Sequence, residues 1–352
     1  MSDMKDHLIR RIRSSGPMTV AEFMTEALLH PTLGYYTTRD PLGATGDFTT
    51  APEISQMFGE MIGLALAQAW MDQGAPNQFT LAEPGPGRGT LMADILRATR
   101  GVPGFHAAMQ LCLIEASPAL REKQRALLGD GATWLDTLDQ LPDQPLFLVA
   151  NEFFDALPIR QFQRGADGWQ ERLIGLRGEE LTIGLGPEQP RADLEHRLAD
   201  TVESQIVEIC PPAPALVQSI GSRIAEFGGA ALIIDYGDWR ARGDTLQAVR
   251  NHEPIDPLAA PGASDLTAHV DFEVLANQAG CAHAQLTPQG VFLERLGITA
   301  RAQALAARLQ GDALTAHIAA HRRLTHPEEM GNLFKVLALF PEGATPPPGC
   351  DP

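Results

Sequence analysis

Three glycines occupy every second position of the stretch FTLAEPGPGRGTLMADILR, at Gly85, Gly87 and Gly89, with Glu83 two residues ahead of the first. An apolar run leads in and a helix-like pattern leads out. A glycine-rich turn between strand and helix brings backbone N–H groups and a helix N-terminus up to a ligand, because no Cβ holds the ligand off. A dinucleotide would ask for G-x-G-x-x-G, but Thr90 stands three places after Gly87, so a nicotinamide is disfavoured; the spacing is instead E-x-G-x-G-x-G. A ribose-bearing cofactor also needs a carboxylate at the end of the next strand to accept both hydroxyls, and Glu115 closes LCLIEA at that place. A third polar group, NEFFDALPIRQF, follows the apolar run LFLVA and holds Asn151, Glu152 and Asp155 around two aromatics. A carboxylate beside buried apolar neighbours is costly without a partner, which marks Glu152 as a site residue. Phe153 and Phe154 suit either the site or the core.

These groups need a scaffold, and the chain supplies one by alternation. From residue 79, FTLAE, QLCLIEA, PLFLVA and GGAALIIDYG read as strands, and GTLMADILRATR and SPALREKQRALL as helices, the second opening on Ser117 and Pro118. Such alternation predicts an α/β fold: a mostly parallel sheet with helices on both faces. Residues 1–75 read as a helical extension, in which Thr19 and Glu22 have capping-box spacing and Met57, Phe58, Met61, Ile62 and Ala65 form a core-facing stripe. Residues 40–53 read as a long functional loop. The core is expected over 76–340, with an inserted hairpin around 168–186, a loop and helical addition over 238–325, NLFKVLALF as a last edge strand and a tail from 341 to 352.

Composition narrows the function. With 27 basic against 44 acidic residues the net charge is −17, which argues against nucleic acid and admits a cationic substrate. Cys112, Cys210, Cys281 and Cys350 are dispersed, so neither a metal site nor a disulfide framework is expected. No apolar run approaches the ~18 residues of a membrane span, and the N-terminus lacks the apolar stretch of a signal peptide. The expectation is a cytoplasmic protein without membrane insertion.

The E-x-G-x-G-x-G spacing is that of the first motif of Rossmann-like methyltransferases, which hold S-adenosylmethionine. Taken together, GYYTTRDPLGATGDFTTAPEISQMFGE, EPGPGRGTLMADILR, IEASPALREKQ, NEFFDALPIRQF, LIIDYG, DLTAHVDF and MGNLFKVL resemble the MidA-like family of these enzymes. Its mitochondrial members are complex I assembly factors that methylate an arginine of a core subunit. The chain departs from the family at Pro84, where a branched apolar residue is usual, and at Asn332, where an acid is expected. The resemblance implies that Glu83, Gly85, Gly87, Gly89 and Glu115 bind the cofactor. It implies that Asp47, Thr49, Pro52 and Glu53 form a lid, and that Asn151, Glu152 and Asp155 face a protein arginine. Asp235, Tyr236 and His269 are weaker candidates; His269 invites a general-base reading, although a lone histidine is more often structural. Two other readings stay open: a cofactor-binding assembly chaperone without essential catalysis, and a small-molecule methyltransferase.

Overall fold

Strands that are apolar at every position must be covered on both faces, and the central strands here obey that rule. A computed structural model describes residues 3–38, 50–250 and 253–351. The chain forms two compact units, each built from three separate segments: 1–48, 155–213 and 240–269 in one, and 49–154, 214–239 and 270–352 in the other. The contiguous division expected from sequence, with an extension ending at 75, does not follow these units. The helix Gln56–Asp72 belongs with the large sheet.

The second unit carries that sheet. Its main strands are β1 (Phe79–Pro84), β2 (Met109–Ile114), β3 (Ala132–Leu135), β4 (Leu146–Asn151), β5 (Gly229–Asp238) and β6 (Phe334–Phe340), in the spatial order β3-β2-β1-β4-β5-β6. The first five are parallel and β6 is antiparallel to β5. Every residue of β1 and β4 is buried. NLFKVLALF is therefore a strand as expected, though two-residue pieces, Ala282–His283 and Thr287–Pro288, flank it on its outer side. The strand order turns back between β1 and β4, which leaves a crevice at their carboxyl ends, the place where ligands bind in such sheets.

Helices α1 (Ala51–Ile54), α2 (Gln56–Asp72), α3 (Thr90–Ala98) and α4 (Pro118–Leu128) belong to this unit. The predicted stripe on α2 is buried in full, in the same apolar cluster as Phe79, Leu81 and Phe147. A Cβ on Gly59 would lie 2.6 Å from the Asp94 Cβ, so α2 and α3 approach more closely there than larger residues would allow.

The first unit has its own core, formed by Leu8, Ile9, Phe23, Met24, Ile174 and Leu266 among others. Its five-stranded antiparallel sheet contains the expected hairpin, Trp169–Arg177 with Glu180–Gln189, turning at Gly178 with φ +67°. The Thr19–Glu22 capping box opens the helix Val20–Leu29. The stretch from 238 to 270, expected as loop, instead contains a three-stranded sheet of Gln247–Arg250, Glu253–Ile255 and Asp265–Thr267. Strands of three or four residues are too short to show periodicity.

Candidate active site

The glycine turn joins β1 to α3. All three glycines take the left-handed backbone, with φ of +62°, +53° and +84° at Gly85, Gly87 and Gly89. Side chains are thus excluded first by the backbone itself, since L-residues are strained there. At Gly85 a second reason operates: a Cβ would come 3.0 Å from the ring of Phe153. Phe153 is half-buried beside the loop, whereas Phe154 is core at 3% exposure, so the two aromatics divide the roles left open by sequence.

Two acids lie at the ends of β1 and β2. Glu83 is buried, and its Oε2 has no hydrogen-bond partner among the described residues. Burial, aided by the nearby Glu115 charge, pushes its carboxyl up to about 8. The Glu115 carboxylate accepts the Ser117 amide at 2.8 Å through Oε1 and the Gln124 side-chain amide at 3.2 Å through Oε2. Burial raises its pKa, while these bonds and Arg121 hold the rise back. Arg121 itself donates to the backbone carbonyls of Glu115 and Leu135, fixing the two strand ends.

Glu152 follows the end of β4 in a left-handed conformation, φ +50°, which a non-glycine residue adopts at a cost. Its Oε1 accepts the Ala51 amide at 3.1 Å and the Asn151 side chain at 3.2 Å. Burial raises its pKa, partly offset by those two bonds and by the Arg323 charge. Asn151 is buried, and its Oδ1 has no partner among the described residues. The helix α1 thus meets Glu152 at its first amide. From the same turn Glu53 accepts the Thr90 hydroxyl at 2.6 Å, tying α1 to the start of α3. Pro52 is buried within α1. Asp47 and Thr49, with most of the expected lid, lie outside the described residues.

Other candidates sit elsewhere or do other work. Asp235 is fully buried and accepts the backbone amides of Phe154 and Tyr236, both at 3.0 Å, so it shapes the loop after β4. Tyr236 is buried edge-on against Phe334. Asp155 belongs to the first unit, where its carbonyl accepts the Ala268 amide. His269 is in that unit too, its amide on the Thr245 hydroxyl. Gln124 was not foreseen. It is fully buried on α4, although the motif IEASPALREKQ ends on it.

One described cluster has metal-binding residue types: the donor atoms of His7, Glu26 and His30 lie within 4.8 Å of one another. Glu26 is already paired with Arg11 at 3.0 Å and with His7 at 3.2 Å, and His30 Nδ1 accepts the Thr32 amide. A guanidinium at that distance opposes a dication, and ion pairing accounts for the group.

Comparison with known proteins bears on these placements. Residues 61–292 match the profile of a family described as S-adenosyl-L-methionine-dependent methyltransferases. The mitochondrial protein arginine methyltransferase NDUFAF7 of Danio rerio is 38% identical over 369 residues, covering 95% of this chain and 86% of that protein. Its Homo sapiens counterpart is 36% identical over 372 residues, covering 97% and 84%. A Burkholderia thailandensis protein, solved with S-adenosyl-homocysteine bound, superposes with a TM-score of 0.83 at 29% identity, covering 98% of this chain and 93% of that one. The expected cytoplasmic location is overturned, because the curated relatives are mitochondrial. Dispersed cysteines that form no disulfide are compatible with more than one compartment.

Proposed function

The chain belongs to this family of S-adenosyl-L-methionine-dependent methyltransferases, and on that premise we propose that it methylates an arginine of a protein, with Glu152 receiving the guanidinium. The observation that carries the reading is Glu152 itself. An acidic side chain is kept on a strained backbone at a strand end, beside an aromatic that touches the glycine loop. Such strain persists where the surrounding structure enforces it, and it clusters at functional sites.

The residues at the strand ends fit the cofactor. The glycine turn leaves its backbone open, Glu115 suits a ribose diol, and the Glu83 oxygen that has no partner among the described residues suits a positively charged group. When bound, S-adenosylmethionine supplies a methyl activated on a sulfonium. The protein's part is alignment more than acid–base power. Glu152 accepts two N–H groups of the planar guanidinium and leaves the remaining nitrogen to face the methyl. A carboxylate whose pKa is raised by burial also takes up the proton which that nitrogen sheds. Asn151 Oδ1 is a second acceptor on the same turn. A carboxylate disfavours lysine as the substrate, because it holds the ammonium proton in place. The chain's net charge of −17 steers a basic segment toward it.

The named activity of the curated relatives supports arginine, and the family resemblance extends the reading to a partner like a complex I core subunit. Glu152→Gln keeps the shape and removes the charge. We expect cofactor affinity to stay within about twofold and turnover to fall at least ~100-fold. Unchanged turnover would remove Glu152 from the reaction. Mass spectrometry of the labelled product decides the substrate: a methyl on lysine, on a carboxylate or on a metabolite would refute arginine and leave the methyltransferase standing.

A further inference from the structure

The Gln124 side-chain amide has every polar atom committed. Its Nε2 donates to the Gly87 carbonyl at 2.7 Å and to Glu115 Oε2 at 3.2 Å, and its Oε1 accepts the Trp134 indole N–H at 2.8 Å. The indole nitrogen only donates, so the amide cannot be flipped: oxygen faces Trp134, and nitrogen faces the loop and the carboxylate. Gln124 also packs under the third glycine of the turn, its Cγ lying 3.5 Å from where a Cβ of Gly89 would be. A glutamine at 0% exposure that touches the glycine loop twice and the ribose-side acid once is poorly explained as helix packing.

We propose that Gln124 is a positioning residue for the cofactor, locking the middle of the glycine loop and the Glu115 carboxylate into one geometry. This rests on the reading that Glu115 holds the ribose. By occupying one lone pair of Glu115 Oε2, while the Ser117 amide occupies Oε1, Gln124 fixes the carboxylate plane and leaves its remaining lone pairs in one direction. By drawing on the Gly87 carbonyl it sets the orientation of the adjoining peptide units. Trp134, itself under the Arg125 guanidinium at 4.5 Å, keys the amide from behind. The charged groups around its partners are Glu83, whose carboxyl interacts with Glu115, Arg121, which donates to the Glu115 carbonyl, and Arg125 over Trp134.

Polarity, and not bulk, is therefore what the position requires. Gln124→Met preserves the volume and loses both donors. Gln124→Glu preserves the shape and places an oxygen against two acceptors, unless that oxygen is protonated. The experiment is calorimetric titration of S-adenosylhomocysteine into wild type, both variants, Trp134→Phe and Glu115→Ala at pH 6, 7 and 8.5, with unliganded thermal melts as a folding control. We expect Gln124→Met to weaken binding about tenfold at every pH. Gln124→Glu should be weaker still at pH 8.5 and recover toward the Met variant at pH 6, when the introduced acid can donate. Trp134→Phe should lose less than either. In turnover assays the loss should appear in the cofactor KM, with kcat nearly kept. A folded Gln124→Met variant that binds like wild type, while Glu115→Ala is weakened, overturns the role of Gln124 and leaves the ribose reading intact. Unchanged binding in Glu115→Ala overturns both. A Gln124→Glu to wild-type ratio that is constant with pH means that only packing was lost, and refutes the positioning role.

Discussion

Replacing Glu83 by glutamine should change how the free protein responds to pH, in a direction set by the buried carboxyl. Its pKa rises from 4.5 in the unfolded chain to about 8 in the fold. Between those values the native state holds a proton that the unfolded state has released, so the native state binds more protons and stability must fall as pH rises. The stability is full below pH ~4.5 and is lost progressively until the native carboxyl itself ionises near pH ~8. Integrated from pH 6 to 8.5, this one acid removes roughly 2–3 kcal/mol. Glutamine stays neutral throughout, so Glu83→Gln should flatten that part of the profile. Urea unfolding of wild type and variant, both without cofactor, at pH 6, 7 and 8.5 gives the comparison. Parallel profiles would refute the claim that Glu83 is protonated in the free protein. The same logic has a ligand-bound arm. A cation placed against the carboxylate draws out the proton, so S-adenosylmethionine binding at pH 7 should release close to one proton from the Glu83–Glu115 pair. Titrations in buffers of different ionisation enthalpy count it.

Three further outcomes follow from the site. Gly87→Val forces a branched side chain onto a backbone with φ +53° and should abolish the rise in melting temperature given by S-adenosylmethionine; NAD and FAD should give no rise in wild type. On the reading that the Glu115 carboxylate accepts both ribose hydroxyls, Glu115→Ala removes two hydrogen bonds and should weaken cofactor binding at least ~10-fold, read by calorimetry. Thr19→Ala breaks the capping box at Val20–Leu29 and should cost about 1 kcal/mol in denaturant unfolding without touching cofactor affinity.

What could be read in the sequence was whatever leaves a local mark. The glycine spacing marked a backbone that only glycine adopts readily, the alternating apolar runs marked a parallel sheet, and residue alternation about a Gly-centred turn near 178 marked a hairpin. The places of Glu115 and Glu152 at strand ends were legible because each closes an apolar run. Gln124 left no such mark. Inside an amphipathic helix a glutamine reads as surface, and only the fold brings it to Gly87, 37 positions away in sequence. The interleaving of the two units was equally hidden. Three distant segments build each one, and pairings such as that of Met18 with Ile174 have no signature within a local window. The unit boundary between Phe154 and Asp155, inside one continuous motif, likewise has no mark in the sequence.

The left-handed backbone at Glu152 bears on anyone who evolves this enzyme in the laboratory. A Cβ in that conformation costs roughly 1 kcal/mol or more, which glycine would recover at once. A library screened only for survival on heating should therefore enrich glycine at position 152, and, on the proposal that Glu152 receives the substrate, the clones recovered would be sturdier and inert. Screening for heat tolerance and methyl transfer together should hold the glutamate and push the gains elsewhere. On that proposal position 152 is a place where durability and turnover pull against each other, and the ratio of the two alleles after each round would measure that tension directly.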